Sequence, residues 1–259
     1  MADLDYPINA LSNLIVESKR TIVFTGAGVS TESGIPDFRG PGGIWSRYDP
    51  EEFTIQKFLS SPESRKMQWK MLMEAGLTTE AKPNSVHYAT AELYKLSKLD
   101  CVITQNVDNL HQKAGMPQDR VFELHGNMQR AICLSCHQRF PMKEILQRIK
   151  EGTEVPDCPD CHGILKPDAI FFGEALPQAT LAEAARRARN CDLLIVVGST
   201  LVVYPAAYIP MYAKEAGAKI AIINLGETPL DHYATVVISG KAGEIMPEVI
   251  EKARNKLLS

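Results

Sequence analysis

The sequence has no long apolar run and no excess of positive charge. No stretch approaches the ~20 apolar residues that a membrane-spanning helix needs, and the acidic segment 1–20 does not resemble a signal peptide. The 28 lysine and arginine residues are outnumbered by 31 aspartate and glutamate residues. The net charge of -3 therefore creates no global positive field that would recruit nucleic acid or a membrane surface. We expect a cytoplasmic protein that binds neither directly, a nuclear location being the alternative.

Cysteine is scarce, with six in 259 residues, and four of the six form two Cys-x-x-Cys pairs. In a chain without an export signal, this spacing suits a metal site better than disulfides. Cys133, Cys136, Cys158 and Cys161 supply four thiolates, a set that suits a closed tetrahedral zinc site with no position for water or substrate. We predict one structural zinc ion per chain. Redox use of the pairs is the alternative, and two neighbouring histidines are alternative ligands: His137 and His162.

Strand and helix patterns alternate along most of the chain. Buried strands are predicted at 20–25, 99–104, 192–198, 219–224 and 235–238, with amphipathic helices between them. This alternation predicts an α/β fold with a doubly wound, parallel, Rossmann-type sheet covered by helices on both faces. Ligands of such sheets bind beyond the carboxyl ends of the strands.

Two stretches interrupt the alternation and predict a second, smaller lobe. Residues 40–84 are rich in proline, methionine and charge, and residues 128–169 contain the cysteine pairs. We interpret the first as a helical insertion and the second as a zinc-ribbon module. The Rossmann-type domain then comprises residues 1–39, 85–127 and 170–259.

The turn after the first predicted strand is rich in glycine. Gly26, Ala27 and Gly28 allow backbone amides to approach a pyrophosphate beside a helix N-terminus. The turn departs from the ordinary dinucleotide motif, because Thr31 takes the third glycine position and no strand ending in an acidic residue follows about twenty residues later. A tight turn without a ligand is the alternative. The next loop combines a carboxylate, an aromatic ring and a guanidinium: Asp37, Phe38 and Arg39.

Polar groups also follow the middle strands of the predicted sheet, at 104–111 and 123–127. Because these segments lie beyond strand ends, a ligand site explains them better than solvated loops do. His125 is the predicted general base, since an imidazole titrates near ~6.5 and accepts a proton at neutral pH. A structural histidine is the alternative, and the neighbouring Gln105 to Asp108 cluster weakens it.

The order of these motifs resembles that of the sirtuin family of NAD-dependent protein lysine deacylases. The resemblance extends from about Leu11 to Pro247 and is carried by GAGVSTESGIPDFRG, TQNVDNLH, ELHGN, the cysteine pairs, FFGE and GSTLVVYPAA. It implies that NAD is a co-substrate rather than a hydride carrier: nicotinamide leaves and the acyl group passes to ADP-ribose. It also implies that His125 is the catalytic histidine and that Asn106 and Asp108 act in the nicotinamide pocket.

The resemblance further implies two sets of binding residues. The NAD contacts are Gly26, Ala27, Gly28, Thr31, Asp37, Phe38, Arg39, Gln105, Asn106, Asp108, Gly198, Ser199, Thr200, Asn224 and Leu225. An acetyl-lysine peptide is expected to lie as an added strand between two edges, with main-chain hydrogen bonds providing affinity. The peptide contacts are Val107, Phe172, Gly173, Glu174, Val202 and Tyr204. Ordinary core strands are the alternative for the segments 170–174 and 202–204.

Two other functions compete with deacylation. In mono-ADP-ribosyl transfer a protein nucleophile takes the ribose, and no residue of the sequence excludes this reaction. A non-catalytic NAD-sensing or zinc-ribbon module is the other competitor, and the joint presence of His125, Asn106 and Asp108 argues against it.

The helical insertion also predicts the class of acyl group. Family members specialised for acidic acyl chains carry a Tyr-x-x-Arg pair there, and this sequence has no tyrosine between Tyr48 and Tyr88. An acidic acyl group would therefore lack its partner. We predict a preference for acetyl-lysine and other neutral acyl-lysines over succinyl-lysine, unless a cation of the segment points inward: Arg65, Lys66 or Lys70.

Overall fold

The structure is a computed structural model that describes residues 4–40, 42–74 and 81–258. Pro41 and residues 75–80, all within the predicted helical insertion, lie outside the described residues. The helices and strands are α1 Asp5–Glu17, β1 Thr21–Thr25, α2 Ile55–Ser60, α3 Pro62–Glu74, α4 Ser85–Lys95, β2 Leu99–Thr104, α5 Leu110–Lys113, β3 Val121–Glu123, β4 Gly126–Cys133, β5 Arg139–Pro141, α6 Met142–Lys150, β6 Leu165–Ala169, α7 Gln178–Ala188, β7 Leu193–Val197, α8 Ile209–Glu215, β8 Lys219–Asn224, β9 Val236–Ser239 and α9 Ala242–Leu258.

Six strands form one parallel sheet in the order β3-β2-β1-β7-β8-β9. The chain builds outward from β1 in one direction and then restarts at β7 on its other side, which is the Rossmann arrangement. The reversal lies between β1 and β7, where this class of sheet binds its ligand. The predicted α/β class and parallel sheet are confirmed.

Both faces of this sheet are buried under helices. Along β1 the side chains alternate: Val23 packs in a cluster with residues of α1, α4 and α9, whereas Ile22 and Phe24 pack in a second cluster with residues of α7 and α8. The period of two in a strand sends successive side chains to opposite faces. Helices therefore cover the sheet on two sides, as the doubly wound prediction requires.

A second, antiparallel sheet has the order β5-β4-β6. Its residues share a third buried cluster with Trp69 and Leu72 of α3 and with Met142 and Ile145 of α6. The cysteine segment and the helical insertion thus pack on one another, which confirms the predicted smaller lobe. Among the helices that the structure describes, none is long and apolar enough to cross a membrane.

Candidate active site and metal centre

The loops after β1 and β7 touch at the reversal of the sheet. The N–H of Gly26 donates to Val197 O at 3.1 Å, and the N–H of Gly28 donates to Gly198 O at 2.9 Å. A Cβ on Gly28 would lie 2.9 Å from Gly198 Cα, and Gly198 itself has a φ of +59°. Only glycine fits this approach without strain, so the two loops present bare backbone at the predicted cofactor position.

Ser30 joins two of the predicted catalytic residues. Its hydroxyl donates to Asp108 Oδ2 at 2.7 Å and accepts from Asn106 Nδ2 at 3.1 Å. The other Asp108 oxygen accepts from the Leu110 N–H at 2.9 Å. Asp108 and Asn106 are each 8% exposed and Ser30 is 2% exposed. The sequence analysis did not identify Ser30 as a site residue. Its position could have indicated one, because a serine in a glycine-rich turn after a strand can reach the end of the neighbouring strand.

Buried threonine and histidine side chains form a hydrogen-bonded group next to Asn106. The Asn106 N–H donates to Thr104 Oγ1 at 3.0 Å, Thr25 Oγ1 donates to the same oxygen at 2.8 Å, and His111 Nε2 contacts Thr25 Oγ1 at 3.0 Å. The His87 and His111 rings lie 4.9 Å apart. Burial lowers the pKa of His87 to about 4, and burial holds the pKa of His111 well below its usual value. Both imidazoles are therefore neutral at pH 7.

His125 follows β3 and directly precedes β4. Its Nδ1 lies 3.0 Å from Gln105 O, and Gln105 Nε2 donates to Ser199 Oγ at 2.7 Å. The pKa of His125 is lowered, mainly by burial, with a smaller opposing effect of the bond to Gln105. The geometry brings the histidine, the amide and the loop after β7 together, as the sequence predicts.

The other predicted cofactor residues line the same edge with different exposure. The Asp37 carboxylate accepts from the Gly40 N–H at 2.7 Å, so it stabilises its own loop. Phe38 lies 5.3 Å from the Trp45 ring. Asn224 donates to Gly226 O at 2.8 Å. The exposed members of the predicted set are Thr31, Arg39, Thr200 and Leu225.

The first predicted peptide edge, residues 170–174, is hydrogen-bonded to the smaller lobe. The Phe172 N–H donates to Phe53 O at 3.1 Å, and Phe172 O accepts from the Ile55 N–H at 2.9 Å. Phe172 is 39% exposed, and its ring lies 5.7 Å from the Trp45 ring. Gly173 has a φ of +82°, which favours glycine.

The remaining predicted peptide contacts differ in their surroundings. Val202 and Tyr204 are exposed, at 45% and 57%, and Val107 is half-buried against the core of the smaller lobe. The Glu174 carboxylate is bonded within the protein, to Lys166 Nζ at 3.0 Å and the Phe171 N–H at 2.6 Å. Sequence reasoning did not identify Lys166.

The four predicted zinc ligands meet in one cluster, with all Sγ atoms within 4.8 Å of one another. Cys133 Sγ lies 3.5 Å from Cys161 Sγ, and Cys136 Sγ lies 3.7 Å from Cys158 Sγ. Tetrahedral zinc with Zn–S bonds of about 2.3 Å places its sulfurs about 3.8 Å apart, whereas a disulfide needs about 2.0 Å. The cluster fits a closed zinc site and excludes disulfides. His162 Nδ1 instead contacts Asp157 Oδ2 at 3.1 Å.

The reversal-point loops and the four-thiol cluster together define a Rossmann-type α/β protein with a separate zinc-binding lobe. The chain belongs to the Sir2 family, the sirtuins, whose family model matches residues 26–205. It is 44% identical over 251 residues to NAD-dependent protein deacetylase 1 of Pyrobaculum aerophilum, with 96% of each chain covered. It is 46% identical over 249 residues to NAD-dependent protein deacylase 2 of Archaeoglobus fulgidus, with 95% of this chain and 96% of that one covered.

Solved Sir2 structures share the fold. One, solved for the mechanism and regulation of Sir2 enzymes, has a TM-score of 0.89 at 45% identity, over 97% of this chain and 99% of its own. A Sir2 complex with a p53 peptide and NAD+ has a TM-score of 0.85 at 40% identity, over 94% and 97%. A Sir2 variant with deacetylated p53 peptide and 3'-O-acetyl-ADP-ribose has a TM-score of 0.88 at 40% identity, over 95% and 98%.

Proposed function

We propose that this protein is an NAD-dependent protein lysine deacylase. It transfers the acyl group of a modified lysine to ADP-ribose derived from NAD and releases nicotinamide. The observation that carries this proposal is the His125 imidazole, neutral and hydrogen-bonded through Nδ1 to Gln105 O, beside the buried Asn106 and Asp108 at the reversal of the sheet. The similar relatives named deacetylase or deacylase, and the Sir2 complexes with NAD+ or acetyl-ADP-ribose, support the same reaction.

His125 acts as the general base. A carbonyl oxygen only accepts hydrogen bonds, so the contact with Gln105 O requires that Nδ1 carries the proton. Nε2 then holds the lone pair, and no described residue hydrogen-bonds to it. After the acyl oxygen has displaced nicotinamide from the ribose, the imidazole accepts a proton from a ribose hydroxyl, and that oxygen attacks the acyl carbon. The bond between the acyl carbon and the lysine nitrogen then breaks, the lysine amine leaves, and water completes O-acyl-ADP-ribose. The burial that lowers its pKa keeps the base unprotonated at neutral pH.

Asn106 and Asp108 orient the nicotinamide end of NAD. Both Asp108 oxygens accept a bond from the protein, one from Ser30 and one from Leu110, which fixes the carboxylate plane. Each oxygen retains capacity for a second donor, such as the carboxamide of nicotinamide. Because these groups are held before NAD arrives, the protein needs little reorganisation as positive charge leaves the nicotinamide ring.

The acyl-lysine peptide is proposed to lie as an added strand between residues 170–174 and 202–204. The bonds of Phe172 to the smaller lobe occupy one side of the first segment. The N–H and C=O of Gly173, in the turn that follows, have no partner among the described residues and are available to a bound peptide. Exposed Val202 and Tyr204 offer the facing edge, so the peptide completes both edges by main-chain hydrogen bonds.

We also propose that residues 1–39, 85–127 and 170–259 form the NAD-binding domain and residues 40–84 and 128–169 the smaller lobe. The large sheet draws all its strands from the first set; β4, which begins at Gly126, starts two residues before the proposed boundary. Zinc, when bound by the four thiolates, supplies folding energy to the smaller lobe and no reacting group. We place the protein in the cytoplasm, where thiols stay reduced.

The test uses the purified chain with NAD and a peptide that contains one acetyl-lysine. Nicotinamide release that requires the acetyl group, together with O-acetyl-ADP-ribose in the mass spectrum, is the expected result. Nicotinamide release without the acetyl group, with ADP-ribose attached to protein, would indicate mono-ADP-ribosyl transfer. NAD binding without any release would indicate a non-catalytic module.

A further inference from the structure

Lys166 is a lysine buried within β6, with 3% of its surface exposed. Its Nζ donates to the carbonyls of Pro167 and Ala169 and to Glu174 Oε2, and it lies 4.4 Å from the centre of the Phe171 ring. Lysine is almost never buried this fully unless it is paired and hydrogen-bonded. Burial lowers the pKa of Lys166, and the Glu174 carboxylate opposes that change. The four partners thus explain how a cation is tolerated here.

Glu174 connects this cation to the predicted peptide edge. A single carboxylate oxygen, Oε2, accepts from Lys166 Nζ at 3.0 Å and from the Phe171 N–H at 2.6 Å. The Glu174 N–H donates back to Phe171 O at 3.1 Å. These bonds close the turn from Phe171 to Glu174. The orientation of Gly173 inside that turn therefore depends on the ion pair.

The same lysine is also connected to the backbone of the catalytic histidine. Ala169, whose carbonyl accepts from Lys166, pairs with Gly126 at the start of β4. The next residue, Ile170, donates its N–H to His125 O at 2.9 Å. Lys166 therefore lies between the chain segment that carries His125 and the segment that carries Gly173.

We infer that Lys166 and Glu174 are positioning residues for the peptide: their buried ion pair holds the Gly173 edge at a defined place relative to His125. This inference rests on the proposed function. Neither side chain is proposed to touch the reacting atoms. Glu174 is one of the predicted peptide contacts, but its carboxylate is bonded to Lys166 and to the Phe171 N–H, so it acts through the backbone of the turn. The NAD loops are held by separate contacts, such as that between Gly28 and Gly198, so the pair affects peptide binding much more than NAD binding.

The primary test is Glu174→Gln, which keeps an acceptor for the Phe171 N–H and removes the charge that pairs with Lys166. We expect KM for an acetyl-lysine peptide to rise about tenfold, equivalent to about 1.4 kcal/mol. KM for NAD should change less than about twofold and the zinc content should not change. If the single variant melts early, the double variant Lys166→Met, Glu174→Gln leaves no unpaired buried charge, and the same selective rise in peptide KM is expected.

The matched control is the double variant Arg187→Met, Asp100→Asn. This ion pair of the larger domain has two contacts of 2.9 Å and side chains that are each 20% exposed. Its hydrogen bonds go to Arg120 and Glu183 and not to residues 170–174. It should lower the melting temperature without changing the peptide KM. An equal rise in the control, or an unchanged peptide KM in both Glu174 variants, would overturn the inference.

Binding measurements separate this inference from the proposed function. Wild-type protein that binds the acetyl-lysine peptide in a calorimeter but releases no nicotinamide would contradict the proposed function. In that case the inference still predicts a peptide Kd about tenfold weaker in Glu174→Gln than in wild type. An unchanged Kd would refute the inference whether or not the protein is a deacylase.

Discussion

His125 Nδ1 lies 3.0 Å from the carbonyl oxygen of Gln105, and this contact selects one tautomer of the imidazole. Because the carbonyl cannot donate, the proton stays on Nδ1 and Nε2 is available as a base. The same backbone segment carries Asn106, so the hydrogen bond also sets the distance between the proposed base and the proposed nicotinamide pocket. A hydrogen bond to the main chain thus determines which nitrogen of His125 carries the proton.

Replacing His125 with alanine should remove turnover and leave the fold intact. General-base catalysis supplies about 10²- to 10⁴-fold in rate, so nicotinamide release from NAD and acetyl-lysine peptide should fall by that factor. Thermal melting and NAD affinity serve as controls and should be close to wild type. If the variant keeps more than about a tenth of the wild-type rate, equivalent to a loss of less than about 1.4 kcal/mol, then His125 is not the base.

The acidic limb of the pH profile should lie below pH 6.5. Burial lowers the pKa of His125 from 6.5, and the base works only when it is unprotonated. Activity is therefore kept as the pH falls to 6.5 and is lost only as it passes through the lower pKa of the folded protein. A profile of kcat/KM, which reports the free enzyme, checks this. An acidic limb above pH 6.5 would show that His125 gains a stabilising partner for its charged form.

The buried His87 should make stability depend on pH. Its folded pKa of about 4 lies below the ordinary 6.5, so between these values the unfolded chain binds a proton that the folded chain does not. Stability is lost as the pH falls through this window, by about 2 kcal/mol from His87 alone between pH 6.5 and 5. Urea unfolding with zinc present should show a smaller loss for His87→Gln. Equal losses in both proteins would mean that His87 is protonated in the fold.

Removing zinc should destabilise the smaller lobe and abolish activity. Structural zinc contributes folding energy directly, and Cys133 is fully buried among the core residues of that lobe. Elemental analysis should find one zinc per chain, and Cys133→Ser or a chelator should lower the melting temperature together with deacylation. His162→Ala is the control, because its imidazole lies outside the cluster. A chain without zinc that is fully active would contradict the prediction.

The enzyme should prefer acetyl-lysine to succinyl-lysine by about a hundredfold in kcat/KM, equivalent to about 2.7 kcal/mol. Each candidate cation of α3 is engaged elsewhere: Arg65 donates to Phe58 O at 2.9 Å, Lys66 pairs with Glu154, and Lys70 lies 3.7 Å from Glu74. A buried succinyl carboxylate would therefore lack a partner.

The measurement for this preference is kcat/KM on one peptide that carries acetyl, myristoyl or succinyl groups. Comparable values for succinyl and acetyl would mean that one of these three cations leaves its partner and reaches the acyl group. In that case Arg65→Met should restore the preference if Arg65 is the cation responsible.

Local sequence determined the elements of the larger domain. The strands β2 and β8 have the predicted bounds, because runs of β-branched residues between turn signals are continuous when both sheet faces are buried. The strand β3 was not predicted, because three residues are too few to show a hydrophobic period. The zinc site was also predicted from the sequence, since four cysteines at this spacing have few other functions.

Tertiary structure alone decided which polar groups meet. Ser30 and Asp108 lie 78 residues apart in sequence and share a hydrogen bond only because β1 and β2 are adjacent in the parallel sheet. The link from Lys166 to the backbone of His125 likewise depends on the pairing of β4 with β6, through Gly126 and Ala169. Sequence patterns report the period and chemistry of single segments, whereas the partner of a buried charge depends on which segments the sheet order brings together, so only the fold could assign it.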